Sequence, residues 1–455
     1  MRLLGKKGLT VLTTCSMALV FTACGGNTAT TDSKPKDNQS STPAQTAKAE
    51  KPITLKLATW EQPTNIAALT KVNEKFHAKY PNITITLDTS KPDAAYQTLL
   101  QTRLNANDAD IITDFAINPK KDWHKGAAVP PLQQYIDAGL IEDLTGKPYL
   151  SNYFPEALKN ATTYKDKVWG VDIGTVTYTG VFYNKELFEK NGLKVPTTWP
   201  EMMDVSKKLK DSGVSPFTLA GKDVWPLGMV ANGFIQAIEP NVEQLDKKLW
   251  SGETKFTDPV FSEIFTKYQQ MLNYTEKDFM GIDYASVVGR FATGKAAMMP
   301  DGIWNSGAIE KANPNLKFGY FPMPASDKAE NNKNFFGKYD MSLLVAAKSA
   351  NKDAALKYLE FISQPDIYNE FINTVGFLPT QPNVKFTNPF MQEVAPLASS
   401  LKLAMDVIWQ APQGAGDYTG SPTPVQFLKP AGKETPEEIM QKMQKEWEVE
   451  MKNAK

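Results

Sequence analysis

The chain from Pro52 onward predicts an α/β fold, and three observations carry that expectation. Short runs of alternating apolar residues are separated by stretches with helical periodicity. The helical stretches end at Pro, Gly or Asn-Gly. No later run approaches the roughly 18 uninterrupted apolar residues of a membrane-spanning helix.

Ile53, Leu55 and Leu57 alternate with Thr54, Lys56 and Ala58, the period of a strand. Trp60-Glu61-Gln62-Pro63 opens a helix whose apolar face is Ile66, Leu69, Val72, Phe76 and Tyr80, stopped by Pro81. Asn82 to Leu87 alternates as a second strand, Ala94 to Leu104 is helical, and Asp110 to Asp114 is a third strand. Strands and helices at this spacing build a sheet with ligand loops at the strand ends.

A second region starts near Val176. Val181 to Asn184 reads as a strand, and the helix Lys185 to Lys190 ends at the C-cap Asn191-Gly192. Pro200 to Asp211 is a helix with Met203, Val205 and Leu209 inside and Gly213 at its end. Phe261 to Met271 and Val287 to Thr293 are further helices, and Lys295 to Met299 is a short buried strand. Phe318 to Pro324 and Ser342 to Ala346 are extended, Ala354 to Ile362 is helical, and Pro365 begins another helix. The last helix has Thr435 as N-cap, Pro436 at its first position, and Ile439, Met443 and Trp447 on its packing face.

The N-terminus has its own grammar. Arg2, Lys6 and Lys7 precede an apolar run from Leu9 to Phe21, then Thr22-Ala23-Cys24-Gly25-Gly26. This reads as an export signal over residues 1–23, and the cysteine at its cleavage point resembles a bacterial lipobox, with Cys24 as the lipidated residue. Two or more acyl chains anchor stably to a membrane. Residues 24–51, rich in Thr, Ser, Lys, Gln and Pro, read as a disordered tether with a reach of roughly 30 Å.

The signal removes three of 50 basic residues and none of 50 acidic ones, leaving about −3. That balance offers nothing to nucleic acid. Cys15 leaves with the signal, so Cys24 is the remaining thiol and no internal disulfide can form. His77 and His124 are the two histidines; His77 reads as a surface residue. No His or Cys pair has zinc spacing, and a nucleophile triad could draw only on those two imidazoles. Gly294-Lys295 lacks the flanking residues of a phosphate loop, and Gly414-Ala415-Gly416 is a flexible turn. A metal site and a cofactor are therefore not expected.

Arginine is scarce. Only Arg103 and Arg290 follow the signal, against about 45 lysines. A bidentate guanidinium fork is the usual reader of carboxylates and phosphates, so an anionic ligand is disfavoured. Aromatics are plentiful instead, with nine Trp and 16 Tyr. Trp60-Glu61, Trp225, Asp301-Gly302-Ile303-Trp304 and Trp409 combine a ring that can stack on a pyranose with neighbours that bond hydroxyls.

Several segments then carry a family resemblance. They are Thr177 to Phe188, Gly192 to Trp199, Phe291 to Met298 leading to Gly302-Ile303-Trp304, Phe321-Pro322-Met323-Pro324, Ala354 to Ile362, and Gly376-Phe377-Leu378-Pro379-Thr380. In order and spacing they resemble the extracellular solute-binding proteins of ABC sugar importers, the group that includes maltodextrin-binding proteins. The resemblance implies a two-lobed periplasmic-binding-protein-like fold (type II), each lobe a mixed sheet flanked by helices, with the ligand in the inter-lobe cleft. The first lobe would be 52–175, completed by about 322–378. The second would be 176–321, completed by about 379–455. Crossings are expected near Thr175 to Tyr178, Phe321 to Pro324 and Gly376 to Gln381.

By family pattern Trp304 is the stacking aromatic of the second lobe, while Trp60, Glu61 and Asp114 stand where first-lobe ligand contacts occur. Trp409 resembles a late aromatic that closes the cleft. Trp225, Asp301, Tyr178 and Tyr339 are further carry-overs, and Trp199 is structural. Many relatives carry a Pro-Tyr pair where this chain has Val171-Asp172-Ile173.

The implied function is a lipid-anchored, monomeric carbohydrate receptor on the extracytoplasmic face of the cell membrane. It would capture a sugar by lobe closure and deliver it to ABC permease subunits, without nucleic-acid partners or bond chemistry. Two other readings stay open. One is a binding protein for a charged solute, a peptide or polyamine. The other is a surface glycoside-active enzyme, which would use paired carboxylates.

Overall fold

The computed structural model describes residues 51–91, 94–397 and 401–453. The signal at 1–23, the lipidation site Cys24 and the tether, save Lys51, lie outside the described residues. Glu50–Lys455 forms one compact unit.

Two principal sheets organise it. The first has the spatial order Ile83–Ser90, Ile53–Trp60, Ile111–Asp114, Ser342–Val345, Val171–Asp172. Its first three strands are parallel, with Ile53–Trp60 and Ile83–Ser90 in register from Ile53↔Ile83 to Trp60↔Ser90; Ser342–Val345 runs antiparallel to them, and Val171–Asp172, antiparallel to Ser342–Val345, runs with the first three. Leu55 and Leu57 are fully buried as the alternation requires. The helix Pro63–Lys79 buries Ala68, Leu69, Val72 and Phe76. Phe76 in turn meets Tyr358 and Phe361 with ring centroids 5.2 and 5.3 Å away. Full burial of such side chains stabilises by about 1.5–3 kcal/mol each. Leu69, Val72 and Phe76 of the expected stripe are buried, whereas Ile66 and Tyr80 are half-buried and Asn65 and Ala68 complete the buried face.

The second sheet runs Phe318–Pro322, Gly180–Asn184, Ala296–Pro300, Ser215–Phe217. Gly180–Asn184 is antiparallel to both neighbours, and Ala296–Pro300 is parallel to Ser215–Phe217. All five residues of Ala296–Pro300 are buried. In the helix Trp199–Asp211 the inward residue is Met202, with Met203 half-buried. The Thr198 side chain caps that helix by accepting the Glu201 N–H, and Glu201 in return accepts the Thr197 N–H. In the last helix, Pro436–Asn453, Ile439, Met443 and Trp447 are buried as the sequence predicts.

Between the sheets the chain crosses through a third, small sheet. Thr175–Thr177 pairs antiparallel with Phe336–Tyr339, which pairs parallel with Lys402–Leu403. Thr175 and Leu378 exchange both backbone bonds at 2.8 Å. The return crossing thus falls at Phe336–Tyr339, not at Phe321 to Pro324. The reason is that Phe318–Pro322 pairs along its whole length with Gly180–Asn184 and stays in the second sheet. Gly337 makes the crossing possible, since a Cβ there would lie 1.8 Å from the Val176 carbonyl oxygen.

Candidate functional site

Because Ile53–Trp60 and Ile111–Asp114 are parallel, their C-terminal ends open at the same edge of the first sheet. Trp60 ends one strand and is buried. Tyr96 meets its ring edge-on at 5.9 Å, and Phe115 stacks on it at 5.1 Å with 29° between planes. Phe115, 37% exposed, is therefore the aromatic surface that Trp60 supports. Asp114 is buried beside it, accepting from the Phe115 N–H at 2.8 Å and the Gln97 side-chain amide at 3.1 Å. Burial pushes its carboxyl up to about 6, against the pull of those two bonds and the Lys338 charge. Glu61 is exposed, and its N–H donates to the Ser90 carbonyl at 2.7 Å.

On the second sheet, Asp301 follows the buried strand Ala296–Pro300 and is itself 2% exposed. Its Oδ1 accepts from the Tyr284 hydroxyl at 2.9 Å and the Gly302 N–H at 2.7 Å. Burial raises this carboxyl to about 7, with the same bonds opposing. The Tyr284 oxygen also receives the Trp304 indole N–H at 2.6 Å and the Asn305 amide at 2.8 Å. Burial pushes its phenol well above the usual range, and the Asp301 charge adds to that. The Trp304 ring folds back over Gly302, where a Cβ would approach it to 2.4 Å, so the Gly is required for this pose.

Trp304 is half-buried and lies 6.0 Å from the Tyr178 ring. Buried Tyr178 donates to Asp406 Oδ1 at 2.6 Å. On the other side of Tyr284, Trp225 packs at 4.5 Å yet stays 50% exposed. Its presentation is strained. Val224 has φ 63° and ψ −53°, and Trp225 N–H reaches back to Asp223 O at 2.7 Å, a tight γ-turn that a β-branched residue rarely adopts.

The crossing strand joins the two halves. Lys338 Nζ sits 3.7 Å from the Phe115 ring centroid and 2.7 Å from Asp340 Oδ1, and its charge lowers both Asp114 and Asp406. Asp406 is open to solvent, yet the surrounding protein raises its carboxyl, with Tyr178 and Lys338 opposing. Tyr339, next on the strand, is half-buried and pairs with Thr175; burial raises its phenol.

The structure brings Trp60 and Asp114 together around Phe115, and Tyr178, Asp301, Trp304 and Trp225 together around Tyr284, and the Lys338 charge acts on Asp114 of the first group and on Asp406, the partner of Tyr178. Trp409 stands apart. It is 8% exposed, its indole N–H donates to Thr419 O at 3.1 Å, and its ring packs on Trp447 and Phe256 at 5.5 and 6.1 Å. Sequence reasoning missed Phe115, Tyr284, Lys338, Asp406 and Asn305. Phe115 was findable as the residue after Asp114; Lys338 and Asp406 arrive from distant segments with no local signature.

An open surface groove lined by Trp199, Pro259, Glu263, Lys267, Gln270 and Asp327 shares no residue with this set. Its Lys267 is already satisfied by Glu263 and Asp327 at 2.7 and 2.8 Å. Among the described residues no group of His, Cys, Asp or Glu is arranged to hold a metal ion. None of their helices is long and apolar enough to cross a membrane.

Comparison with known proteins places the fold. The multiple sugar-binding protein of Streptococcus mutans is 28% identical over 320 residues, covering 68% of this chain and 71% of its own length. The maltotriose-binding protein of Pyrococcus abyssi is 24% identical over 416 residues, 86% of this chain and 83% of that one. Among solved structures, the solute-binding protein RafE in complex with raffinose superposes with a TM-score of 0.73 at 21% identity, over 88% of this chain and 99% of that one. A chitin oligosaccharide binding protein gives 0.71 at 24% identity, covering 88% and 99%. These likenesses fix the fold as two-lobed and type II. Residues 71–397 match the family model of the bacterial extracellular solute-binding proteins, and the chain belongs to that family.

Proposed function

We propose that this protein is a carbohydrate receptor of an ABC importer, tethered to the membrane through a lipid on Cys24. It takes a neutral sugar or oligosaccharide between its two sheets, closes, and presents it to permease subunits, leaving every bond of the sugar intact. The observation that carries the reading is the set of rings, Phe115 on Trp60, Trp304 beside Tyr178 and Trp225 on Tyr284, with Asp114, Asp301 and Asp406 among them. Rings supply apolar faces for pyranoses, and carboxyls accept from hydroxyls. Support comes from relatives described as binding multiple sugars and maltotriose, and from neighbours solved with raffinose and stachyose. Phe115, Trp304, Tyr178, Trp225, Asp114 and Asp301 are the residues assigned to the ligand; Trp409 is assigned to packing.

A thermal-shift screen of the Glu50–Lys455 unit tests this. The panel holds neutral mono- and oligosaccharides, including raffinose, stachyose and maltotriose, with amino acids, peptides and polyamines as controls. A ligand at a thousand times its dissociation constant adds about 4 kcal/mol. The expected result is a shift of several degrees for one sugar class and recovery of that sugar uncut. Silence across all sugars, or cleavage of the sugar, would sink the proposal.

A further inference from the structure

The carboxyl groups around the proposed site raise a difficulty for a neutral ligand. Asp114, Asp340 and Asp406 all feel or touch the same region, and Asp301 lies beyond Trp304. Such a pocket would ordinarily favour amines, since several carboxyls near aromatic rings attract a desolvated ammonium by charge and by the ring faces.

One side chain answers this. Lys338 reaches from the crossing strand Phe336–Tyr339, which belongs to neither principal sheet. Its ammonium sits over the Phe115 ring at 3.7 Å and pairs with Asp340 at 2.7 Å, while its charge reaches Asp114 and Asp406. It occupies the position an amine-bearing ligand would take: over the ring, among the carboxyls. Its side chain is 23% exposed and that of Asp340 6%, so the pair is only partly screened by water. Close packing of Gly337 on Val176 holds the strand that carries Lys338.

We propose that Lys338 is the residue that makes the site select neutral sugars over cationic solutes, by filling the cation position over Phe115 with the protein's own ammonium. This rests on the carbohydrate-receptor reading. An incoming pyranose that stacks on Phe115 displaces the ammonium sideways, where it donates hydrogen bonds to sugar hydroxyls. A polyamine or amino sugar meets a like charge that cannot leave the pocket. Placing one positive charge against another is a repulsive device, the form that discrimination between similar ligands often takes.

The test compares wild type, Lys338→Met and Lys338→Arg in calorimetric titrations with the neutral oligosaccharide found by the screen, with spermidine, and with glucosamine. Each is run at low salt and at 0.5 M NaCl. Wild type is expected to bind the neutral sugar and to bind spermidine at least a hundredfold more weakly. Lys338→Met should bind spermidine at least tenfold more tightly than wild type, with the gain shrinking in high salt. Lys338→Arg, which keeps the charge, should still exclude spermidine. If Lys338→Met does not fold, Lys338→Gln carries the same expectation. A folded neutral variant that discriminates as wild type does overturns the inference. Wild type that binds no neutral sugar overturns the receptor reading instead, so the two failures are distinct.

Discussion

Replacing Asp301 by Asn removes a buried charge while leaving its hydrogen bonds available. Both bonds, from the Tyr284 hydroxyl and the Gly302 N–H, go to the same oxygen, Oδ1, which an Asn amide oxygen can supply. The native carboxyl titrates at about 7 rather than at 3.8 because burial disfavours its anion. The folded state therefore holds this proton more tightly than the unfolded state. The associated stability is fully present below pH 3.8 and is lost as pH rises towards 7. The full difference is about 4 kcal/mol at 1.36 kcal/mol per pH unit, of which about 2 kcal/mol falls between pH 5.5 and 8. Asn carries no such term. Wild type should thus lose about 2 kcal/mol relative to Asp301→Asn over that interval, a relative change in Tm of roughly 2–3 °C for some 400 residues. Paired calorimetric melts of the two proteins at pH 5.5 and 8 measure it directly. Parallel pH dependence in the two proteins would refute the claim that Asp301 is buried and protonated near neutrality.

Further expectations follow from the same contacts. Trp304→Ala should reduce sugar affinity at least thirtyfold in calorimetry, as a half-buried central ring does when truncated. Trp409→Ala should instead cost about 3–5 kcal/mol in denaturant unfolding with affinity of the folded fraction changed less than threefold, because its ring belongs to the cluster with Trp447 and Phe256. Val224→Gly should raise stability by about 1 kcal/mol through relief of the positive φ, while weakening binding of longer oligosaccharides that reach Trp225.

The local grammar of the chain was legible because it obeys periodicity. The strand Ile53–Trp60, the helix Pro365–Val375 and the packing face Ile439, Met443 and Trp447 follow from alternation, a leading Pro and four-residue spacing. Val205 and Leu209 of the helix Trp199–Asp211 are buried as expected, while Met202 takes the inward place expected of its neighbour Met203, a choice between two methionines that pattern cannot make. The return crossing at Phe336–Tyr339 was not legible, because it depends on the Gly337 approach to Val176, a contact between segments far apart in sequence. The site was half legible for the same reason. Asp301 and Trp304 lie together in one short segment, and the Tyr284 that organises them belongs to a different helix. Trp409 could not be separated from a cleft aromatic by sequence, since a loop tryptophan beside polar residues looks the same whether its N–H meets a sugar or the Thr419 carbonyl.

The most direct test of the account is a crystal structure of the Glu50–Lys455 unit with the sugar identified by screening. The account predicts a pyranose against Phe115 and another ring contact at Trp304, hydroxyls within hydrogen-bonding distance of Asp114, Asp301 or Asp406, and Lys338 Nζ moved from the Phe115 ring onto a sugar oxygen. A sugar bound instead in the groove beside Trp199 and Lys267, with Phe115 and Trp304 untouched, would contradict it.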